Sequence, residues 1–132
     1  MRPMPNYFII GRKGAAVPFV SVTVSIPVSE STRRTLLGGL SQIVADETHK
    51  PVQYVMAVIQ QADMAHGRDV APSAFADVRS IGALNKTTNA AISKRICDLL
   101  HAELGIAPSR IYLNFIDIEA ANWGNDGGVF GG

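Results

Sequence analysis

The residues able to do chemistry are few, and they form neither a metal set nor a thiol set. His49, His66 and His101 have no ligand-like spacing to one another or to Cys97, so no metal site is expected. Cys97 is the single cysteine, which excludes an intramolecular disulfide framework. It falls inside a helical pattern and reads as a core residue. No Cys-x-x-Cys pair supports dithiol redox work. What remains is an ordered series of short pieces. Val17-Pro18-Phe19-Val20 stands at the mouth of an alternating strand. Lys50-Pro51, Arg79-Ser80-Ile81-Gly82, Arg110-Ile111-Tyr112-Leu113-Asn114-Phe115 and Asn122-Trp123-Gly124 follow. Read singly they are ordinary. A proline before a strand is a strand starter. A lysine near a helix C-terminus is usually solvated and favoured by the dipole. Tyr112 could close a core, and Trp123 could simply pack in a tail. Tyr112 and Asn114 alternate along one strand, so both point to one face.

The elements that must position these pieces can be read from periodicity. Val20, Val22, Val24 and Ile26 alternate with polar residues and predict a half-buried strand ended by Pro27. Ser29 is a plausible N-cap. Leu36, Leu37, Leu40, Ile43 and Val44 then fall at helical spacing, predicting a helix over 30–47 that stops before Pro51. Tyr54 to Ile59 is a continuous apolar run and reads as a strand buried on both faces. Residues 61–72 read as a polar loop, and 74–81 as a strand closed by Gly82. Asn85 is a candidate N-cap. Ile92, Ile96, Leu99, Leu100 and Leu104 stripe a second helix with Gly105 as its C-cap. A fourth strand follows over 111–118, then a Gly-rich tail.

The pattern repeats. The spacing from Phe19 to Pro51 is 32 residues and from Phe75 to Pro108 is 33, each unit reading strand, helix, proline, strand. Each helix is long enough for a right-handed parallel crossover. The expected fold is therefore α/β, of the α+β kind: two β-α-β units forming a four-stranded mixed sheet with two helices on one face. Nothing in the chain covers the other face, and strands this apolar argue for oligomerisation.

The 132 residues favour one domain, and 47% hydrophobic content supplies a core. Net charge is +1 with no charge run, which argues against a nucleic-acid partner. No apolar run reaches about 18 residues, so no membrane span is indicated. Tyr7 to Ile10 is too short for a signal segment and its basic residues follow it, so a cytoplasmic protein is expected. Export by a route needing no signal peptide stays open.

The ordered pieces, at this spacing, resemble the macrophage migration inhibitory factor family of the tautomerase superfamily from Pro18 to Phe130. Ser-Ile-Gly alone would be a weak signal; the ordered set carries the likeness. In that family the proline is the first residue of the mature chain and its free amine is the catalytic base. The resemblance implies that Pro18 and Lys50 are catalytic. It implies that Phe19, Ser80, Ile81 and Phe130 bind substrate. Tyr112 and Asn114 would come from the neighbouring subunit of a homotrimer, at sites on each subunit boundary. The implied reaction is keto–enol tautomerisation of 2-oxo acids of phenylpyruvate type, with no cofactor and no metal. A free α-amino group has a pKa of about 8, lowered by burial and by a nearby cation, so it can be neutral at physiological pH. The alternative is a non-catalytic, cytokine-like binding or signalling protein of the same fold, acting through a protein receptor.

The chain departs from the family in three places. Asn125 stands where many members carry an aromatic, so a more polar pocket rim and an altered substrate preference would be consistent with that departure. The family's cysteine pair is absent, with Ser73 and Ala76 in the matching region. Residues 1–17 precede the proline, and 18–132 form the family domain. While Val17 is bonded to Pro18, the proline nitrogen is an amide with no usable lone pair. The extension reads as a misread start at a valine codon, as a propeptide or tag, or as a genuine segment of a non-catalytic relative.

Overall fold

The computed structural model describes residues 17–131, so the extension, except Val17, lies outside the described residues. Strand β1 (Pro18–Val24) buries every second residue. Val20, Val22 and Val24 are fully buried, while Phe19, Ser21 and Thr23 on the other face are half-buried. Helix α1 (Glu30–Thr48) starts where the Ser29 hydroxyl accepts from the Thr32 amide at 3.2 Å. It ends at His49, in the left-handed region at φ 59°. After a 3₁₀ turn (Val52–Tyr54), β2 (Met56–Gln61) runs parallel to β1. Strand β3 (Ala74–Ser80) pairs antiparallel with β1. Helix α2 (Lys86–Leu104) is capped by the Asn85 side chain and closed by Gly105 at φ 69°. Strand β4 (Ile111–Asp117) then pairs parallel with β3.

The strand order is β2-β1-β3-β4, the expected mixed sheet built from two crossovers. Leu36, Leu40 and Val44 of α1 and Ile92, Ile96 and Leu100 of α2 join the inward residues of β1 and β3 in one buried cluster. Each of the buried Val, Leu and Ile side chains contributes roughly 1.5–3 kcal/mol. The helices lie close together. A Cβ added at Gly39 would stand 3.0 Å from Cδ2 of Leu99. Arg95 of α2 also donates to Asp46 at 3.1 Å and Glu47 at 3.0 Å on α1.

Three expectations need correction. The second strand is Met56–Gln61, not 54–59, because Val52–Tyr54 turns before the chain can pair with Phe19. Nor is it buried on both faces within this chain. It is a sheet edge, and Met56 on the uncovered face is 64% exposed. The first strand stops at Val24 rather than Ile26. Ser25 bends there, its hydroxyl accepting from the Ser73 amide at 2.9 Å. The tail also forms a hairpin of β5 (Gly124–Asn125) and β6 (Gly128–Val129). Asp126 and Gly127, at φ 54° and 80°, supply its turn. Among the described residues, no helix is long and apolar enough to cross a membrane.

Candidate active site

The sheet register decides which candidate residues meet. Pro18 pairs across the sheet with Ser80, and Ser80 pairs with Asp117. These three ends form one edge of the sheet. The Pro18 side chain is fully buried there. Beyond Ser80 the chain must turn back, and Gly82 and Ala83 take φ 75° and 69° to do so. Asp117 holds that turn by accepting from the Gly82 amide at 2.8 Å. The amide of Ile118 donates to the Ser80 carbonyl at 2.9 Å. Ile81 is thereby fixed in the interior, 4% exposed.

Lys50 reaches the same place from α1. The left-handed residue His49 swings the chain, and the Lys50 amide donates back to the Ala45 carbonyl at 3.1 Å. Its ammonium then points inward to the Ile81 carbonyl at 3.4 Å. Lys50 is 9% exposed, and no carboxylate among the described residues pairs with it. Burial pushes its pKa below the usual lysine range. An ammonium so placed is underused as a donor and offers its charge to an incoming anion. The Ser80 hydroxyl is also buried, with no hydrogen-bond partner among the described residues.

The tail completes this end. Ile81 and Phe130 form a small buried cluster, against which Val17, Ala120 and Trp123 pack. A backbone bond from Phe130 to the Trp123 carbonyl, 3.1 Å, ties the tail across the edge. Gly131 is required here. At φ 84°, a Cβ on it would meet that of Ala120 at 2.9 Å. Beside the cluster lies a cavity of about 310 Å³ lined by Phe19, Arg79, Ile118, Asn122, Trp123 and Gly124.

The structure thus brings Pro18, Phe19, Lys50, Ser80, Ile81 and Phe130 to one end of the sheet. It does not bring Tyr112 or Asn114 there within one chain. Tyr112 pairs with Phe75 and is five residues from Asp117, roughly 16 Å along the strand. Both Tyr112 and Asn114 lie on the uncovered face and are exposed. Tyr112 lines a second cavity, of about 640 Å³, with Phe75 and Arg110. Its ring rests against His66, centroids 4.7 Å apart. Sequence reasoning gave neither Arg79 nor His66 a role. Arg79 could have been placed by alternation, since it must share a face with Phe19. No sequence signal pointed to His66.

The sequence model of the macrophage migration inhibitory factor family matches residues 17–131. The macrophage migration inhibitory factor of Meriones unguiculatus is 36% identical over 115 residues, covering 86% of this chain and 99% of that protein. Among solved structures, a macrophage migration inhibitory factor-like protein from Entamoeba histolytica aligns with a TM-score of 0.82 at 30% identity, covering 86% of this chain and 98% of that one. A homologue from Prochlorococcus marinus aligns with a TM-score of 0.81 at 32% identity, covering 86% and 99%. The match over the whole described chain, together with the identity to these relatives and the shared fold, makes this chain a member of the macrophage migration inhibitory factor family.

Proposed function

We propose that this protein is a keto–enol tautomerase of 2-oxo acids of phenylpyruvate type, using Pro18 as general base once Pro18 is the N-terminal residue. The observation that carries the reading is Lys50. Its side chain is buried, without a carboxylate partner among the described residues, and its ammonium is aimed at the carbonyl of Ile81 at the Pro18 edge. A buried cation left without a counter-charge is costly unless an anion visits it.

The chemistry follows from these groups. The substrate carboxylate or carbonyl oxygen lies near Lys50. The neutral secondary amine of Pro18 takes a proton from the carbon next to the carbonyl. Negative charge moves to the carbonyl oxygen, where the ammonium stabilises it. The proton then returns to that oxygen to give the enol, and the reverse sequence gives the ketone. Ile81, Phe130 and Trp123 offer an apolar wall for an aryl group. The mechanism requires that amine to be neutral when substrate arrives, and burial such as that around Pro18 disfavours its charged form.

Tyr112 and Asn114 enter from a neighbouring copy. They project from the uncovered sheet face, where Met56, Phe75 and Tyr112 are also exposed. A homotrimer that covers this face would place one subunit's Tyr112 end beside another's Pro18 end.

Val17 favours a second reading. It packs against the Ile81–Phe130 cluster, the surface proposed for the aryl group. While it remains bonded to Pro18, the base does not exist and the apolar wall is occupied. The untrimmed chain would then be a non-catalytic binding protein of the same fold. The test is phenylpyruvate tautomerisation by protein beginning at Pro18. Turnover is expected there, and loss of at least about tenfold in Pro18→Gly with the oligomer intact. An unchanged rate in Pro18→Gly removes Pro18 as the base.

A further inference from the structure

The bond between Val17 and Pro18 decides whether the proposed base exists, and the fold decides whether that bond can be cut. Hydrolysis adds water across it, leaving a carboxylate on Val17 and a secondary amine on Pro18. A peptidase does this only on backbone that it can hold extended and unpaired, which is why nicking concentrates at exposed loop tips and loose termini.

The residues after the bond are not in that state. Pro18 opens β1, and β1 is an inner strand of the sheet, with β2 on one side and β3 on the other. Pro18, Phe19, Val20 and Ser21 pair with Ser80, Arg79, Val78 and Asp77 of β3. Phe19, Val20 and Ser21 pair also with Met56, Ala57 and Val58 of β2. The Pro18 and Val20 side chains are fully buried. The residue before the bond is held as well. Val17 packs against the Ile81–Phe130 cluster, and the tail carrying Phe130 is tied down where the Phe130 amide donates to the Trp123 carbonyl at 3.1 Å.

Freeing even the first few residues of β1 therefore breaks two ladders and empties part of the core. An opening of that extent lies at the high end of the range between local fraying and global unfolding.

We infer that the folded chain seals the Val17–Pro18 bond, so that a free Pro18 amine arises only before β1 has paired, during synthesis or on an unfolded chain. The extended chain and the chain beginning at Pro18 are then two products set before folding, not two stages of one folded protein. A propeptide removed after folding is excluded. Removal of an initiating residue from the nascent chain fits. The inference concerns the bond alone and does not rest on the tautomerase reading.

The probe is an aminopeptidase of the class that releases a single residue ahead of proline. Its substrate is protein beginning at Val17, a complete family domain, since the matched relatives align over 98–99% of their length. The peptide Val17–Ser25 in the same sample is the internal standard, and mass reports the loss of one valine from each. The folded protein should lose Val17 at least about a thousandfold more slowly than the peptide, because cutting waits on the opened population. As urea is raised, the ratio of the two rates should climb towards one, the peptide correcting for any effect of urea on the enzyme. Leu40→Ala, in the main core and outside the Val17 cluster, should speed the cut at least about tenfold by lowering global stability. Release from folded protein within about tenfold of the peptide overturns the inference. So does slow release that neither urea nor Leu40→Ala alters, since fraying of the first residue would then suffice. Digestion of the folded full chain by a broad endoprotease together with this enzyme should leave no folded product beginning at Pro18, and finding one overturns the inference equally.

Discussion

Replacing Lys50 with methionine should stabilise the fold and disable the site. Lys50 is 9% exposed, and among the described residues its ammonium has no carboxylate partner and makes one long hydrogen bond of 3.4 Å. An inadequately satisfied buried polar group costs about 1–3 kcal/mol. Methionine keeps the apolar stem and its contacts while removing the charge. Lys50→Met should therefore gain about 1–2 kcal/mol at neutral pH. The pH dependence has a definite sign. Burial lowers the folded-state pKa of Lys50 below its usual 10.5. Between the two values the unfolded chain holds a proton that the folded chain has released, so stability rises with pH there. The advantage of methionine should shrink as pH climbs through the folded pKa towards 10.5. Urea unfolding at fixed protomer concentration measures this, with m-values compared between the two proteins. In protein beginning at Pro18, oxo-acid turnover should fall at least about tenfold in the same variant. A variant that is less stable at neutral pH would show that the ammonium is satisfied in the fold. Undiminished turnover would show that it does not face substrate.

Other outcomes follow from the packing. Leu40→Ala, at a fully buried position of α1, should cost about 2–5 kcal/mol in unfolding free energy. Gly105→Ala places a side chain at φ 69° and should cost about 1 kcal/mol by the same measurement. Met56→Glu puts a charge on the uncovered sheet face; light scattering should report a trimer for the parent and smaller species for the variant. A parent that is monomeric at all concentrations would remove Tyr112 and Asn114 from the site.

Much of the fold was legible because its signals are local. Alternation at Val20, Val22 and Val24 marks β1, and Ser29, Asn85 and Gly105 act as the caps their types suggest. The start of β2 was not legible. An apolar run does not say where pairing begins; the partner Phe19 decides that, and it selects Met56. The hairpin near the C-terminus carries a turn signal in Asp126-Gly127, but its strands are two residues each and leave no period to count. The gathering of Pro18, Lys50, Ile81 and Phe130 depends on contacts between distant segments, so only the family likeness pointed to it. Arg79 lines a cavity with Trp123 and Gly124 of the tail, a meeting of distant segments that no local signal marks.

The most direct measurement is the intact mass of the protein from its own host, taken on the same sample whose phenylpyruvate tautomerase rate is measured. The account predicts turnover in material whose mass corresponds to a chain beginning at Pro18, and none where residues 1–17 remain. Equal turnover by a sample shown by mass to retain the Val17–Pro18 peptide bond would contradict it, because an amide nitrogen cannot be the base.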